Sequence, residues 1–175
     1  MERLQLLEAI SFAARKHSTQ VRKDRKTPYA AHPFRVATLL MTEYGVDDSD
    51  ILAAAVLHDT IEDTTTDRED LSSRFGERVA EYVALLSQDA RLPEAEREHR
   101  YHAALAEAPP EVKLCKLADT LDNLLDASAL DEAERGRAVR RARHLVELLG
   151  PGLRDAWLGI TRRVLEAAAE LEQRS

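Results

Sequence analysis

The sequence has a single cysteine and no long apolar run, and each of these features excludes a class of protein. Cys115 has no second cysteine to pair with, so an internal disulfide is excluded, as is usual in a reducing compartment. The longest uninterrupted apolar stretch, Ile51 to Leu57, is much shorter than the roughly 20 residues that cross a bilayer. The N-terminus also lacks the apolar core of an export signal. We therefore expect a cytoplasmic protein that does not associate with a membrane.

Positive charge is scarce too, since 25 lysines and arginines face 32 aspartates and glutamates and the formal net charge is -7. This balance repels nucleic acid phosphates and argues against a broad nucleic-acid-binding surface. The basic segment 21–26 is an exception. Two interpretations of it stay open: a solvated loop, or the contact for a small polyanion.

Strand patterns are absent, and the helical spacing of apolar residues predicts an all-α fold. At 175 residues, 44% of them hydrophobic and 33% charged, the chain fits one globular domain of residues 1–175. Helices are predicted at 3–17, 33–44, 51–62, a short stretch before Phe75, 77–86, 111–127, and two more separated by 150–152. Residues 87–98 are predicted to form a polar loop.

The strongest chemical signal is His58-Asp59 near the end of the most apolar predicted helix, with Glu62 and Asp63 following closely. Four ionisable groups within six positions are costly in a buried helix, because an uncompensated buried charge costs several kcal/mol. A divalent cation would compensate them, since imidazole and carboxylate are ordinary ligands of transition metals.

Two further residues fit such an ion only in combination with this pair. Asp119, one turn before Asn123, lies opposite a leucine face that comprises Leu114, Leu117, Leu121, Leu124 and Leu125, and alone it would suit a solvated surface. His32, before Pro33 at a predicted helix entry, would alone suit a capping or core histidine. Their joint occurrence with His58-Asp59 favours two imidazoles and two carboxylates around one metal.

Three stretches then carry a family resemblance. They are Arg22-Lys23-Asp24 with Thr27-Pro28-Tyr29 and His32-Pro33, then His58-Asp59-Thr60-Ile61-Glu62-Asp63-Thr64, then Lys116-Leu117-Ala118-Asp119 with Asn123. Together they resemble the hydrolase domain of the RelA/SpoT family, an HD-domain helical bundle, and in particular the stand-alone small alarmone hydrolases.

The resemblance implies a role for each matching residue. One Mn²⁺ would be bound by His32, His58, Asp59 and Asp119; the residue types alone leave the metal's identity open. Proton transfer would fall to Glu62 and Asp63. Substrate contacts would come from Arg22, Lys23, Tyr29 and Asn123, and further phosphate contacts from Arg97 and Arg100 in the loop that follows residue 86.

The implied reaction is removal of the 3′-pyrophosphate from the alarmone ppGpp or pppGpp of the stringent response, giving GDP or GTP. A guanine nucleotide is thus the expected partner. Three alternatives stay open: hydrolysis of another nucleotide, such as the 2′-phosphate of NADPH; a catalytically silent nucleotide sensor; and an interaction protein with coincidental metal residues.

Some positions depart from the family pattern or lie beyond it. Asp122 stands where animal relatives carry an aromatic residue and Thr120 where a basic one is common, which affects base recognition. The arginines after Glu132 (Arg137, Arg140, Arg141 and Arg143) are interpreted as a solvated face. Apolar residues around Trp157 are compatible with a homodimer contact and equally with core packing.

Overall fold

The computed structural model describes residues 2–173, with side chains from Leu4 onward except that of Ser128. Over this range the elements are α-helices and short 3₁₀ turns, as the all-α prediction expects. The helices are α1 Glu2–Lys16, α2 Ala31–Tyr44, α3 Ser49–Leu57, α4 Thr60–Asp63, α5 Arg68–Phe75, α6 Glu77–Leu86, α7 Glu94–Glu107, α8 Pro110–Leu125, α9 Glu132–Leu149 and α10 Gly159–Gln173. Within residues 2–173, no helix combines the length and the hydropathy of a transmembrane span.

Helix α3 lies at the centre of the bundle. Every side chain from Ile51 to Leu57 is buried, and α3 packs against α1, α2, α6 and α8. Asp48 caps its N-terminus by accepting hydrogen bonds from the backbone N–H groups of Asp50 and Ile51. The central, buried position predicted for this helix is confirmed.

The predicted extent of that helix, to about Glu62, is wrong. Helix α3 ends at Leu57, whose carbonyl accepts a hydrogen bond of 2.7 Å from the Thr60 hydroxyl, and α4 forms a separate single turn. A side-chain donor of this kind satisfies a terminal carbonyl and competes with continuation of the helix. His58 and Asp59 therefore lie at the junction of two helices, which points their side chains into the bundle.

The prediction of a loop over residues 87–98 is also wrong, because α7 begins at Glu94 directly after Pro93. Up to Arg100 this helix has mostly charged side chains, so it lacks the apolar spacing that identifies helices. Its later residues Tyr101 and Leu105 are buried, and the Tyr101 hydroxyl donates to the carbonyl of Leu86 at 2.9 Å. Burial of these two residues stabilises a helix that the spacing of its apolar residues does not predict.

Helices α2 and α8 flank α3 and carry most of the candidate site. Helix α2 ends where predicted, with Gly45 in the left-handed conformation at φ 62° and its N–H bonded to the Leu40 carbonyl. Helix α8 buries Leu114, Leu117 and Leu121. Leu125, predicted on the same buried face, is 59% exposed because α8 ends at that residue.

Of the apolar residues around Trp157, Ile160 packs into the core, whereas Leu158 is 44% exposed. Trp157 is buried, and its indole N–H donates to the carbonyl of Tyr44 at 3.2 Å. Core packing accounts for this residue, and the homodimer stays a prediction.

Candidate metal and nucleotide site

The four predicted metal ligands converge from three segments of the chain. His32 lies in the first turn of α2, His58 and Asp59 at the junction of α3 and α4, and Asp119 in the middle of α8. The Nε2 atom of His32 is 3.1 Å from Asp119 Oδ1 and 3.7 Å from Asp59 Oδ2. The Nε2 atom of His58 is 3.0 Å from Asp59 Oδ2 and 3.8 Å from Asp119 Oδ1.

The second nitrogen of each imidazole determines which tautomer is present. His58 Nδ1 lies 2.8 Å from the carbonyl oxygen of Ala55, and His32 Nδ1 lies 2.7 Å from Asp122 Oδ2. Both oxygens are acceptors, so each Nδ1 carries a proton and donates it. In neutral rings both Nε2 lone pairs then point at the carboxylates, an arrangement that is repulsive until a proton or a cation lies between them.

This arrangement fits a divalent ion. The Nε2 atom of His58 is buried without a hydrogen-bond partner among the described residues. A buried polar atom without a partner is costly, and a metal that accepts its lone pair removes that cost. Two imidazoles with two carboxylates form a mixed nitrogen and oxygen donor set that suits first-row transition metals.

Charges around the cluster keep its carboxylates ionised. Burial opposes ionisation of Asp119, but the Lys116 ammonium, 2.7 Å from Oδ2, holds the pKa of this carboxyl well below its usual range. Burial likewise opposes ionisation of Asp59, and the neighbouring His58 lowers its pKa. Burial lowers the pKa of His58, yet the Asp59 carboxylate outweighs this effect and raises that pKa to about 9. The cluster therefore favours binding of a positively charged ion.

Asp122, interpreted from the sequence only as a departure that affects base recognition, lies against a predicted metal ligand in the structure. It is almost fully buried, accepts the Nδ1 proton of His32, and accepts a second hydrogen bond of 2.7 Å from Arg35 Nε. It therefore orients a predicted metal ligand, the usual role of a carboxylate behind a metal-bound histidine. Its spacing of three residues from Asp119 on one helix was the available signal.

Glu62 and Asp63 lie on the short turn α4 beside the cluster. Glu62 accepts a hydrogen bond of 3.0 Å from the backbone N–H of Gln88, and burial raises its pKa. Burial and the Asp59 carboxylate raise the pKa of Asp63. The Tyr29 hydroxyl lies 2.7 Å from Asp59 Oδ2 and 3.2 Å from Asp63 Oδ2, and so connects the cluster to α4. Both acids hold protons more tightly than exposed carboxyls do.

Arg22 and Asn123 form a polar wall next to the cluster. The Arg22 guanidinium donates to Asp126 Oδ2 at 2.8 Å and to Asn123 Oδ1 at 3.0 Å, and it lies over the Tyr29 ring. The Asn123 amide in turn donates to Asp119 Oδ1 at 2.5 Å. Arg22 is thus held by protein partners, whereas the Lys23 side chain is exposed.

Two cavities lie along α8 at this wall. One of about 270 Å³ is lined by Asp119, Asn123 and residues of α9 that include Ala138 and Arg141. The other, of about 250 Å³, is lined by Arg22, Lys23, Tyr29, Asn123 and Ala138, among others. Both are lined in part by Asn123 and Ala138, so they adjoin each other along α8, and we call the two together the cleft.

Arg97 and Arg100 are not brought to this cleft. Both lie on α7, not in a loop, and neither lines the two cavities. Arg100 pairs with Glu96 on its own helix at 2.6 Å, with most of its side chain exposed. The loop assignment that suggested these two residues is incorrect, because α7 already begins at Glu94.

Comparison with known families agrees with this geometry. A family model described as HD domain matches residues 9–146, which contain all four predicted ligands. The chain belongs to the HD-domain family. Membership in this family implies a divalent metal, and the ligand atoms of His32, His58 and Asp59 all lie within 4.8 Å of one another.

Several curated relatives of this HD-domain chain are named as guanosine-3′,5′-bis(diphosphate) 3′-pyrophosphohydrolases. Guanosine-3′,5′-bis(diphosphate) 3′-pyrophosphohydrolase MESH1 of Homo sapiens is 46% identical over 126 residues, which are 71% of this chain and 70% of that protein. The Drosophila melanogaster protein of the same name is 40% identical over 121 residues, covering 69% and 68%. A 3′-pyrophosphohydrolase of Aquifex aeolicus is 38% identical over 151 residues, which are 84% of this chain and 21% of that protein.

Solved structures of similar fold extend the likeness beyond these segments. A metazoan orthologue of SpoT, described as hydrolysing ppGpp, superposes with a TM-score of 0.81 at 30% identity and covers 98% of this chain and 96% of its own. A Listeria monocytogenes protein superposes with a TM-score of 0.64 at 25% identity and covers 79% and 99%. The HD-domain bundle thus extends over nearly the whole described chain.

Proposed function

We propose that this HD-domain protein hydrolyses the 3′-pyrophosphate of ppGpp or pppGpp, releasing GDP or GTP and pyrophosphate. The observation that carries the proposal is the convergence of the Nε2 atoms of His32 and His58 on the carboxylates of Asp59 and Asp119. The choice of substrate is supported by the relatives that are named as 3′-pyrophosphohydrolases of guanosine-3′,5′-bis(diphosphate).

The ion in this proposal is Mn²⁺, held by His32, His58, Asp59 and Asp119. When bound, it supplies Lewis-acid activation of water and stabilises negative charge at the phosphoryl group. The mixed nitrogen and oxygen donor set supports a first-row ion, and the choice of manganese follows the family resemblance.

Glu62 and Asp63 are proposed to move the protons. In the reaction, water oxygen bonds to the phosphorus attached to O3′, the bond from that phosphorus to O3′ breaks, and a proton passes from water to O3′. A carboxyl whose pKa is raised toward the working pH can both accept and return a proton, and Glu62 and Asp63 have raised pKa values. The Tyr29 hydroxyl, bonded to Asp63, holds this carboxylate in place.

Substrate binding is assigned to the cleft along α8. Lys23 is an exposed cation for a phosphate, whereas Arg22 supports Asn123 and Tyr29 from behind through the hydrogen bonds and ring contact described above. The Asn123 side chain, next to Asp119, is proposed to contact the nucleoside. The expected cytoplasmic location and the homodimer stay predictions from sequence.

A pyrophosphate-release assay on the purified protein tests the function. With Mn²⁺ we expect ppGpp to be converted to equimolar GDP and pyrophosphate, and with EDTA in place of Mn²⁺ we expect no product. A nucleotide panel that includes NADPH covers the competing phosphohydrolase activity. If ppGpp stays intact with Mn²⁺ while another nucleotide is hydrolysed, the substrate assignment is wrong; tight ppGpp binding without turnover would indicate a sensor.

A further inference from the structure

A larger basic pocket extends the cleft away from the metal cluster. It has a volume of about 630 Å³ and lies between α7, α9 and the loop that contains Lys23. Its charged and titratable lining residues are Lys23, Glu98, His102, Glu134, Arg137, Arg140, Arg141 and His144. Four permanent cations therefore face two carboxylates, in a chain whose formal net charge is -7.

Within the part of the chain that the structure describes, the cations of this basic pocket form no ion pair. Among the described residues, none of the three pocket arginines nor Lys23 has a carboxylate oxygen within the 4.0 Å ion-pair distance. Arg143, on the same helix, differs from them because it pairs with Glu172 at 2.7 Å. Four cations that outnumber the two carboxylates of the pocket and form no ion pair with them repel one another, so this arrangement favours binding of a multivalent anion.

The histidines add further hydrogen-bonding groups to the same wall. Arg137, Arg141 and His144 follow the spacing i, i+4 and i+7, so they form one stripe along α9. The His144 ring lies 4.8 Å from the ring of His102, whose Nε2 is buried without a hydrogen-bond partner among the described residues. Burial and the neighbouring His144 lower the pKa of His102. This unpartnered nitrogen is a second indication that the pocket takes a polar ligand.

The basic pocket adjoins the cleft next to Asp119. It shares Arg141 and Ala138 with the cavity that reaches Asp119, and it shares Lys23, Leu130 and Ala138 with the cavity that reaches Tyr29. A single elongated molecule can therefore contact Asp119 at one end and the α9 stripe at the other.

We propose that the basic pocket binds the 5′-polyphosphate of the nucleotide and sets the preference between pppGpp and ppGpp. The inference rests on the proposed function, which places the 3′-pyrophosphate at the metal cluster and so directs the other anionic end away from it. Arginines bind phosphate oxygens through paired N–H groups, and the longer 5′-triphosphate engages more of them. The protein therefore has a lower KM for pppGpp than for ppGpp.

The test compares the wild-type protein with the double variant R137Q/R141Q and with the control R143Q on the same helix. Steady-state hydrolysis of pppGpp and ppGpp is measured with Mn²⁺, and binding of pppGpp is measured by calorimetry in EDTA, where no turnover occurs. We expect the KM and Kd for pppGpp to rise on the order of tenfold or more in R137Q/R141Q, because a hydrogen bond to a charged group is worth about that factor. The values for R143Q should stay within about twofold of the wild type.

The outcomes separate this inference from the proposed function. The inference is overturned if the KM and Kd for pppGpp are unchanged in R137Q/R141Q, or if they rise equally in R143Q. In either case, turnover by the wild-type protein still supports the hydrolase function. If the wild-type protein binds pppGpp without turnover, and R137Q/R141Q weakens that binding, the hydrolase function is wrong and the inference about the basic pocket stands. A larger KM increase for ppGpp than for pppGpp also contradicts the assignment to the 5′ end. Circular dichroism confirms that the variants, changed at exposed side chains, are folded.

Discussion

At the scale of single residues, the hydrogen bonds behind the predicted ligands are as informative as the ligands. The two Nδ1 atoms donate to Asp122 and to the Ala55 carbonyl, and this fixes both Nε2 atoms toward Asp59 and Asp119. A ring held in one tautomer and one orientation needs no rearrangement when a metal binds. We therefore expect the orienting oxygens to contribute to metal affinity.

Asp122 provides a test of this contribution. Replacing Asp122→Asn removes the negative charge behind His32 and keeps the shape of the side chain, so Mn²⁺ affinity should fall on the order of 10- to 100-fold. Calorimetric titration of Mn²⁺ into the metal-free protein measures the effect. Arg35→Gln is the matched control, because it removes the other hydrogen-bond donor to Asp122 while leaving the bond to His32. Equal Mn²⁺ affinity in wild type and D122N would show that Asp122 does not orient the ligand.

Glu62 gives a second prediction, on turnover and its pH dependence. Glu62→Gln should lower kcat by about 10²- to 10⁴-fold, the usual contribution of a general acid–base group, while Mn²⁺ still binds. Burial raises the pKa of Glu62, so its carboxyl takes up a proton at a higher pH than an exposed glutamate does. Because the base form accepts the proton from water, wild-type kcat/KM should fall as the pH decreases through that raised pKa. Wild-type activity in E62Q would exclude the role.

At the scale of helices, the periodicity of apolar residues predicted the apolar helices. It failed where tertiary packing or a local hydrogen bond determines where a helix begins or ends. Helices α1, α2, α6 and α8 begin and end within about two residues of their predicted bounds. The break after Leu57 depends on a hydroxyl-to-carbonyl bond of Thr60, and α7 depends on burial of Tyr101 and Leu105. Neither interaction produces a repeat in the sequence, so neither could be predicted from spacing.

The end of α2 offers a prediction on stability. Gly45 has φ 62° and open space around its Cβ position, whereas Gly159 has open space and no positive φ. Gly45→Ala should therefore lower the free energy of unfolding by about 1 kcal/mol through backbone strain alone, and Gly159→Ala should not lower it. Urea unfolding followed by circular dichroism gives both values. Equal stabilities for the two variants would mean that the left-handed C-cap does not govern this turn.

At the scale of the whole molecule, the site exists only when α2, the α3–α4 junction and α8 are packed together. The sequence identified the four candidate ligands because their residue types are out of place in apolar helices and match a family pattern. Their distances, and the alignment of Lys116 and Asp122 around them, depend on tertiary packing of helices that are far apart in sequence. The basic pocket on α9 also depends on this packing, which is why its arginines were interpreted as a solvated face.

A ligand set from three segments makes metal binding stabilise the fold. An ion that binds only the folded state at 100 times its Kd adds about 2.7 kcal/mol, or roughly 5–10 °C in Tm for a chain of this size. Mn²⁺ should therefore raise the Tm of the wild-type protein by this amount. In His58→Ala the Tm should be the same with and without Mn²⁺, and each protein measured in EDTA is its own reference. A Tm increase in the variant equal to that of the wild type would place the ion elsewhere.

The most direct test of the central claim is an anomalous difference map at the manganese absorption edge from crystals grown with Mn²⁺. The account predicts one strong peak per chain, within bonding distance of Nε2 of His32, Nε2 of His58, and carboxylate oxygens of Asp59 and Asp119. A map without a peak between these four side chains, or with the ion bound away from Asp119, would contradict the account.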